Sequence, residues 1–135
     1  MGQQQLLLII LGVIVVGIAV AVGITMFQDN AVSANRDAVI NDLVNLASRA
    51  QQFYRRPVAL GGGQGAWDGS NGGTALTMSN LTSKPTNANG TYLMGTVAAQ
   101  SVVINGTGTE TGTDGNLISV TMNVFPDSTF VVPNN

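Results

Sequence analysis

The sequence contains no cysteine and no histidine. Disulfide frameworks, thiol nucleophiles, Cys/His metal sites, haem ligation and imidazole acid–base catalysis are therefore excluded within this chain. Charge is nearly as scarce, at 9% of 135 residues, where a globular domain usually carries about a quarter. Five dispersed basic residues do not form the cationic footprint of a nucleic-acid binder. A single domain is expected at this length. No catalytic pair, cofactor site or metal cluster is expected, and the chain does not read as an enzyme.

The charge that exists is unevenly placed. Residues 1–28 carry none. Residues 29–56 hold Arg36, Arg49, Arg55 and Arg56 with Asp29, Asp37 and Asp42. In residues 57–135, Gly, Asn, Thr and Ser make 40 of 79 residues, and the charges are Lys84, Asp68, Glu110, Asp114 and Asp127. A surface so poor in charge suits contact with other protein or the outside of a cell.

Leu6 to Phe27 is an apolar run of 22 residues, long enough as a helix (about 33 Å) to cross a bilayer core. A cleaved signal peptide would have a basic start and a shorter apolar core, whereas this chain begins Met1-Gly2-Gln3-Gln4-Gln5. The run therefore reads as a retained membrane helix. All four Arg of the next segment lie on its C-terminal side, which by the positive-inside bias would hold the polar part in the cytoplasm. That conflicts with the composition of residues 57–135. A short basic leader removed before Met1 would resolve the conflict; the alternative is that Met1 is the initiator and orientation comes from a feature not seen in the sequence.

Over residues 29–56 the apolar stripe Val39, Leu43, Leu46, Ala50, Phe53 recurs at spacings of four and three, and Ile40, Val44, Ala47 and Tyr54 widen it. Asn35, Asp42, Asn45 and Arg49 fall to the other side. Pro57 sets the end of the helix. The simplest reading is one helix of some 50 residues, apolar all round over 1–28 and amphipathic over 29–56; two helices hinged near Gln28–Asn30 are the alternative. Gly12, Gly17 and Gly23 weaken the apolar half, so any loosening is expected between Gly12 and Gly23. Gly17 with Ala21, and Ala19 with Gly23, form small-xxx-small pairs suited to close helix approach.

Residues 57–90 are a Gly/Asn/Thr-rich connection with Trp67 and Leu76 as its anchors. Beyond it the period becomes two: Thr91–Val97, Gln100–Asn105, Leu117–Val124 and Thr129–Val132 read as strands, with Gly106–Asn116 as a loop. Ile118, Val120, Met122 and Val124 share one face. The fold class is thus α+β: a long N-terminal helix packed on a small four-stranded antiparallel meander formed by residues 91–135. The stripe at Val39, Leu43, Leu46 and Phe53 is the expected helix–sheet contact. One small sheet cannot also cover residues 6–27, which must find lipid or copies of themselves.

Several smaller features carry candidate roles. Gln3-Gln4-Gln5 suit either an ordered contact within an assembly or a polar cap at a membrane surface. Asp68-Gly69-Ser70-Asn71-Gly72-Gly73 resembles the start of a calcium loop, but Ser79 stands where that loop needs an acid, so a plain turn is the expectation. Asn80, Asn89 and Asn105 each begin an N-glycosylation sequon. Asp37 and Asp42 are not stacked on one helix face. Arg36, Arg49, Asp29 and Asp42 are expected to be solvated or to bridge neighbouring copies.

An uncharged apolar helix running into an amphipathic one, closed by the Phe53-Tyr54-Arg55-Arg56-Pro57 junction and followed by a loop and a meander, resembles the type IV pilin-like superfamily over the entire chain. The resemblance implies a prepilin peptidase that removes a leader to leave Met1 first. It also implies pilus assembly machinery, an inner-membrane stage before assembly, and a helical homopolymer of identical subunits at the cell surface that could serve adhesion. Assembly contacts would come from Met1, Gln5, Leu6, Leu7, Ile10, Val13, Gly17, Ala21, Gly23 and Phe27. The chain departs from the bacterial pattern in having Gln5 in place of the usual glutamate, no proline in the apolar helix and no C-terminal cysteine pair. A membrane-tethered binding module, or a minor pseudopilin of a secretion or pilus system, is the alternative.

Overall fold

The computed structural model describes Gly2–Asn135; the assembly role assigned to Met1 lies outside the described residues. One unbroken helix, α1, runs from Gly2 to Arg55, 54 residues or about 81 Å. It passes through Gln28–Asn30 without a hinge. The loosening expected between Gly12 and Gly23 is absent, for helical structure continues through the whole stretch. Sharp helix breaks need a proline, an inserted side chain or a bulge. Nothing beyond the helix's own turns lies within 4 Å of where a side chain at Gly12, Gly17 or Gly23 would begin, so nothing competes for its backbone.

Arg55 ends the helix, ahead of Pro57 and a 3-10 turn over Val58–Leu60. The chain then winds back over the helix end. Gly63 N–H donates to Phe53 O at 2.9 Å, Gly65 N–H to Tyr54 O at 2.8 Å and Gln64 N–H to Arg56 O at 3.0 Å. Carbonyls that a helix C-terminus leaves open are closed in this way. Trp67 fixes the loop: it is fully buried, its Nε1–H donates to Ala50 O at 2.7 Å, and its ring centroid lies 4.7 Å from that of Tyr54. Leu76 is also buried, and its N–H donates to Trp67 O at 2.7 Å. A one-turn helix, α2 (Met78–Leu81), leads on to the sheet.

Four antiparallel strands follow in the order β1-β2-β3-β4: Gly90–Ala98, Ser101–Thr111, Leu117–Val124 and Thr129–Pro133. The architecture is the expected α+β meander. β2 differs from expectation, because Gly106–Thr111, expected to be loop, is the second half of an 11-residue strand. Gly106 and Gly108 are buried on the face that meets the helix. A β-carbon on Gly106 would sit 2.8 Å from Val39 Cγ1 and 3.2 Å from Leu43 Cδ1. Glycine is there so that the helix can approach the strand. It is not marking a turn.

The core is the helix stripe against the inner sheet face: Val39, Leu43, Leu46, Ala47, Ala50 and Phe53 against Tyr92, Val102, Ile104, Ile118, Val120, Met122 and Val124. Val44, read as part of the stripe, is exposed instead. It lies a single residue beyond Leu43, so the 100° step of the helix turns it away from the sheet.

Candidate functional site

The molecule divides sharply into a satisfied head and an unsatisfied helix. Leu6, Leu7, Ile10, Val13 and Phe27 are all exposed, as are Gln5, Gly17 and Ala21; Gly23 is partly covered. Exposure of the sixteen large apolar side chains from Leu6 to Phe27 ranges from 53% to 79%. The most apolar part of the helix has a mean hydropathy of 3.2 and buries nothing against the head. It is long and apolar enough to cross a membrane, and so is compatible with membrane anchoring. Val39, Leu43, Leu46 and Phe53, in contrast, are buried in the head.

Polar groups of the amphipathic half, expected to face solvent or other copies, fasten the head to the helix. Asn35 is one hub: its Nδ2–H donates to Asn89 O at 2.8 Å, and its Oδ1 accepts from Thr109 N–H and Glu110 N–H at 3.0 and 3.3 Å. Asp42 is a second. Its Oδ2 accepts from Tyr92 O–H at 2.6 Å and from the side-chain amides of Asn87 and Asn89 at 2.9 Å each. Arg49 donates to Leu81 O at 2.7 Å and Arg36 to Asn135 O at 2.6 Å. The expectation of solvated or inter-copy charges is therefore corrected for Arg36, Arg49 and Asp42, whose partners are in their own head. Asp29 and Asp37 stay exposed.

The sequence carries a signal for this. Asn35 continues the stripe Val39, Leu43, Leu46 by one further step of four, and Asp42, Leu46, Arg49, Phe53 form the neighbouring ridge. Their polarity taken alone points to the solvent side, while their spacing points to the head. Electrostatics follows from the contacts. Burial by itself would raise the Asp42 carboxyl, but the hydrogen bonds from Tyr92, Asn89 and Asn87 together hold it below its ordinary value. The Tyr92 hydroxyl is pushed up, first by burial and then by its bond to Asp42 and that group's charge.

The three sequons sit in different surroundings. Asn80 is exposed in α2, and its Oδ1 accepts from Thr77 N–H at 3.1 Å. Asn89 has its Nδ2–H committed to Asp42. Asn105 lies within β2, paired on both sides, with its Oδ1 accepting from Thr121 Oγ1–H at 3.1 Å. Asp68-Gly69-Ser70 forms a tight turn in which Asp68 Oδ1 accepts from Ser70 N–H at 2.9 Å; Gly69 and Gly72 adopt positive φ of 82° and 90°. No group of three or more acidic residues that could hold a metal occurs among the described residues.

Two further surfaces stand out. The tip of the β2–β3 hairpin overhangs α1 and leaves a groove of about 590 Å³ floored by Phe27, Ala31 and Val32 and edged by Asp29 and Glu110. At the opposite end of the head, Phe125 and Phe130 meet edge to face at 6.2 Å, with Phe130 exposed. No family model, curated protein or solved structure matches this chain.

Proposed function

We propose that this chain is a structural subunit of an extracellular helical filament of the type IV pilin-like kind, anchored in a membrane before assembly and held afterwards by its N-terminal helix. The observation that carries this reading is the imbalance between a completed head and a bare apolar helix. Burying one large apolar side chain is worth about 1.5–3 kcal/mol. For sixteen such residues, each with half or more of its surface still to be buried, the sum is on the order of 20 kcal/mol. A domain is stabilised by only about 5–15 kcal/mol in total, so a dispersed monomer in water is not a tenable end state.

Lipid satisfies the helix before assembly. The pairs Gly17/Ala21 and Ala19/Gly23 allow helix backbones to approach one another closely, which favours copies over lipid through van der Waals packing. A head fixed to one side of a rod makes the contact heterologous, and a heterologous contact that does not close generates an open helical fibre. The mechanism is cohesion without chemistry, with the Thr- and Asn-rich outer face of the sheet turned to the surroundings, where adhesion would occur.

The test is electron microscopy of material sheared from the surface of expressing cells, with mass and N-terminal sequencing of the fibre protein. The expected result is fibres containing this chain. A chain recovered only as small detergent-soluble particles would refute the filament. That outcome would favour the alternative of a membrane-tethered binding module, for which the exposed Phe125–Phe130 pair is the one supporting observation.

A further inference from the structure

Charged side chains are unevenly spread along the axis of α1. At the head's lower pole, beside Phe27, stand Asp29 and Glu110, both exposed, with the exposed Asp114 in the β2–β3 connection. Arg36, two turns further along α1, is already engaged with Asn135 O. At its upper pole Arg55 and Arg56 end the helix with exposed side chains; Asp68 and Asp127 are carried there on separate turns, held through Trp67 and through the Gln51 bond to Phe125 O.

The lower pole is also shaped. The groove beneath the β2–β3 tip has an aromatic floor in Phe27, the most exposed large apolar residue among those described at 79%, and carboxylates from two different elements, Asp29 of α1 and Glu110 of β2. Its overhanging wall is fixed before any partner arrives, because Thr109 and Glu110 both donate their N–H to Asn35 Oδ1. Carboxylates flanking an aromatic face form a receptor for a guanidinium group, which stacks on rings and donates bidentate N–H bonds to carboxylates.

We infer that this groove receives the Arg55–Arg56 end of a second copy of the same chain, so that heads dock lower pole to upper pole along the fibre. The inference rests on the filament reading. Arg55 lies 26 residues beyond Asp29 on one continuous helix, which sets the axial offset between the two parallel copies at about 39 Å. Such an offset carries the apolar half of one copy past the head-bearing half of the other. The contact is heterologous, as an open fibre requires, and electrostatic, so it weakens as salt rises.

The test uses full-length chains that reverse one pole at a time: Arg55→Glu with Arg56→Glu, and Asp29→Arg with Glu110→Arg. Each pair is expected to lower sheared-fibre yield at least tenfold while leaving the melting temperature of the detergent-solubilised chain unchanged. Co-expression of the two reversed chains is expected to restore fibres, since the acidic upper pole of one then meets the basic lower pole of the other. Wild-type yield for either variant alone, or no rescue on co-expression, overturns the docking while leaving the filament reading intact. A wild-type chain that never occurs in fibres overturns both.

Discussion

Replacing Gly108 by alanine tests how the helix is seated on the sheet. Gly108 is buried in β2, and a β-carbon there would fall onto Asn35 Oδ1, the oxygen that accepts from Thr109 and Glu110 N–H, with Ile118 Cβ at 3.2 Å on the other side. Overpacking of this kind costs about 1–3 kcal/mol. Displacing the Asn35 side chain weakens two hydrogen bonds at about 0.5–1.5 kcal/mol each. A total of about 2–6 kcal/mol lowers the melting temperature by roughly 10 °C or more for a head of this size. Asn35→Ala alone, which loses these two bonds and the one to Asn89 O without crowding, should cost about 1.5–4.5 kcal/mol.

The double variant removes the atom that the new methyl would strike. It should therefore cost about 1 kcal/mol or more less than the sum of the two single changes. Denaturant unfolding of the full chain in detergent, followed by fluorescence of Trp67, reads this cycle cleanly. Trp67 is the single tryptophan and is fully buried beside Ala50, far along the helix from Asn35. Single variants that add within about 0.5 kcal/mol, or a Gly108→Ala chain as stable as wild type, would refute the account of why glycine occupies this strand.

Gly17→Leu is expected to leave the stability of the head unchanged, since nothing outside the helix's own backbone lies within 4 Å of a β-carbon added there, yet to cut fibre yield sharply by blocking close helix approach; unaltered fibres would show that small residues do not set the packing. Stability should be flat near neutrality and decline on both sides. The depressed Asp42 carboxyl contributes fully above its ordinary value of 3.8 and ceases to do so as pH falls through the lower folded value. The raised Tyr92 contributes fully below its ordinary value of 10.0 and is lost as pH rises above it. Asp42→Asn should shrink the acid limb of a melting-temperature profile, and an unchanged limb would count against the Asp42 hub. If cells that express the chain attach N-linked glycans after folding, intact-mass analysis should find Asn80 modified ahead of Asn89, whose amide is held by Asp42; glycan on Asn89 with Asn80 bare would contradict that order.

Local pattern was enough for much of this protein. A 22-residue uncharged apolar run is helical and is not satisfied by water, because backbone bonding inside a helix needs no partner and the side chains offer nothing to water. The four-and-three spacing from Val39 to Phe53 and the two-residue alternation from Ile118 to Val124 fixed which faces meet. Tertiary structure decided what depends on distant neighbours. Gly106 and Gly108 look like turn residues until α1 is laid across them, for only the approach of Val39 and Asn35 makes a missing side chain necessary. Asn35 and Asp42 look like solvent-facing polar residues until β1 and β2 supply Tyr92, Asn89 and the Thr109 and Glu110 amides as partners. Periodicity says where a side chain points. What it meets 50 or 75 residues away is set by packing, and in this chain that packing turned apparent surface charge into the fastening between head and helix.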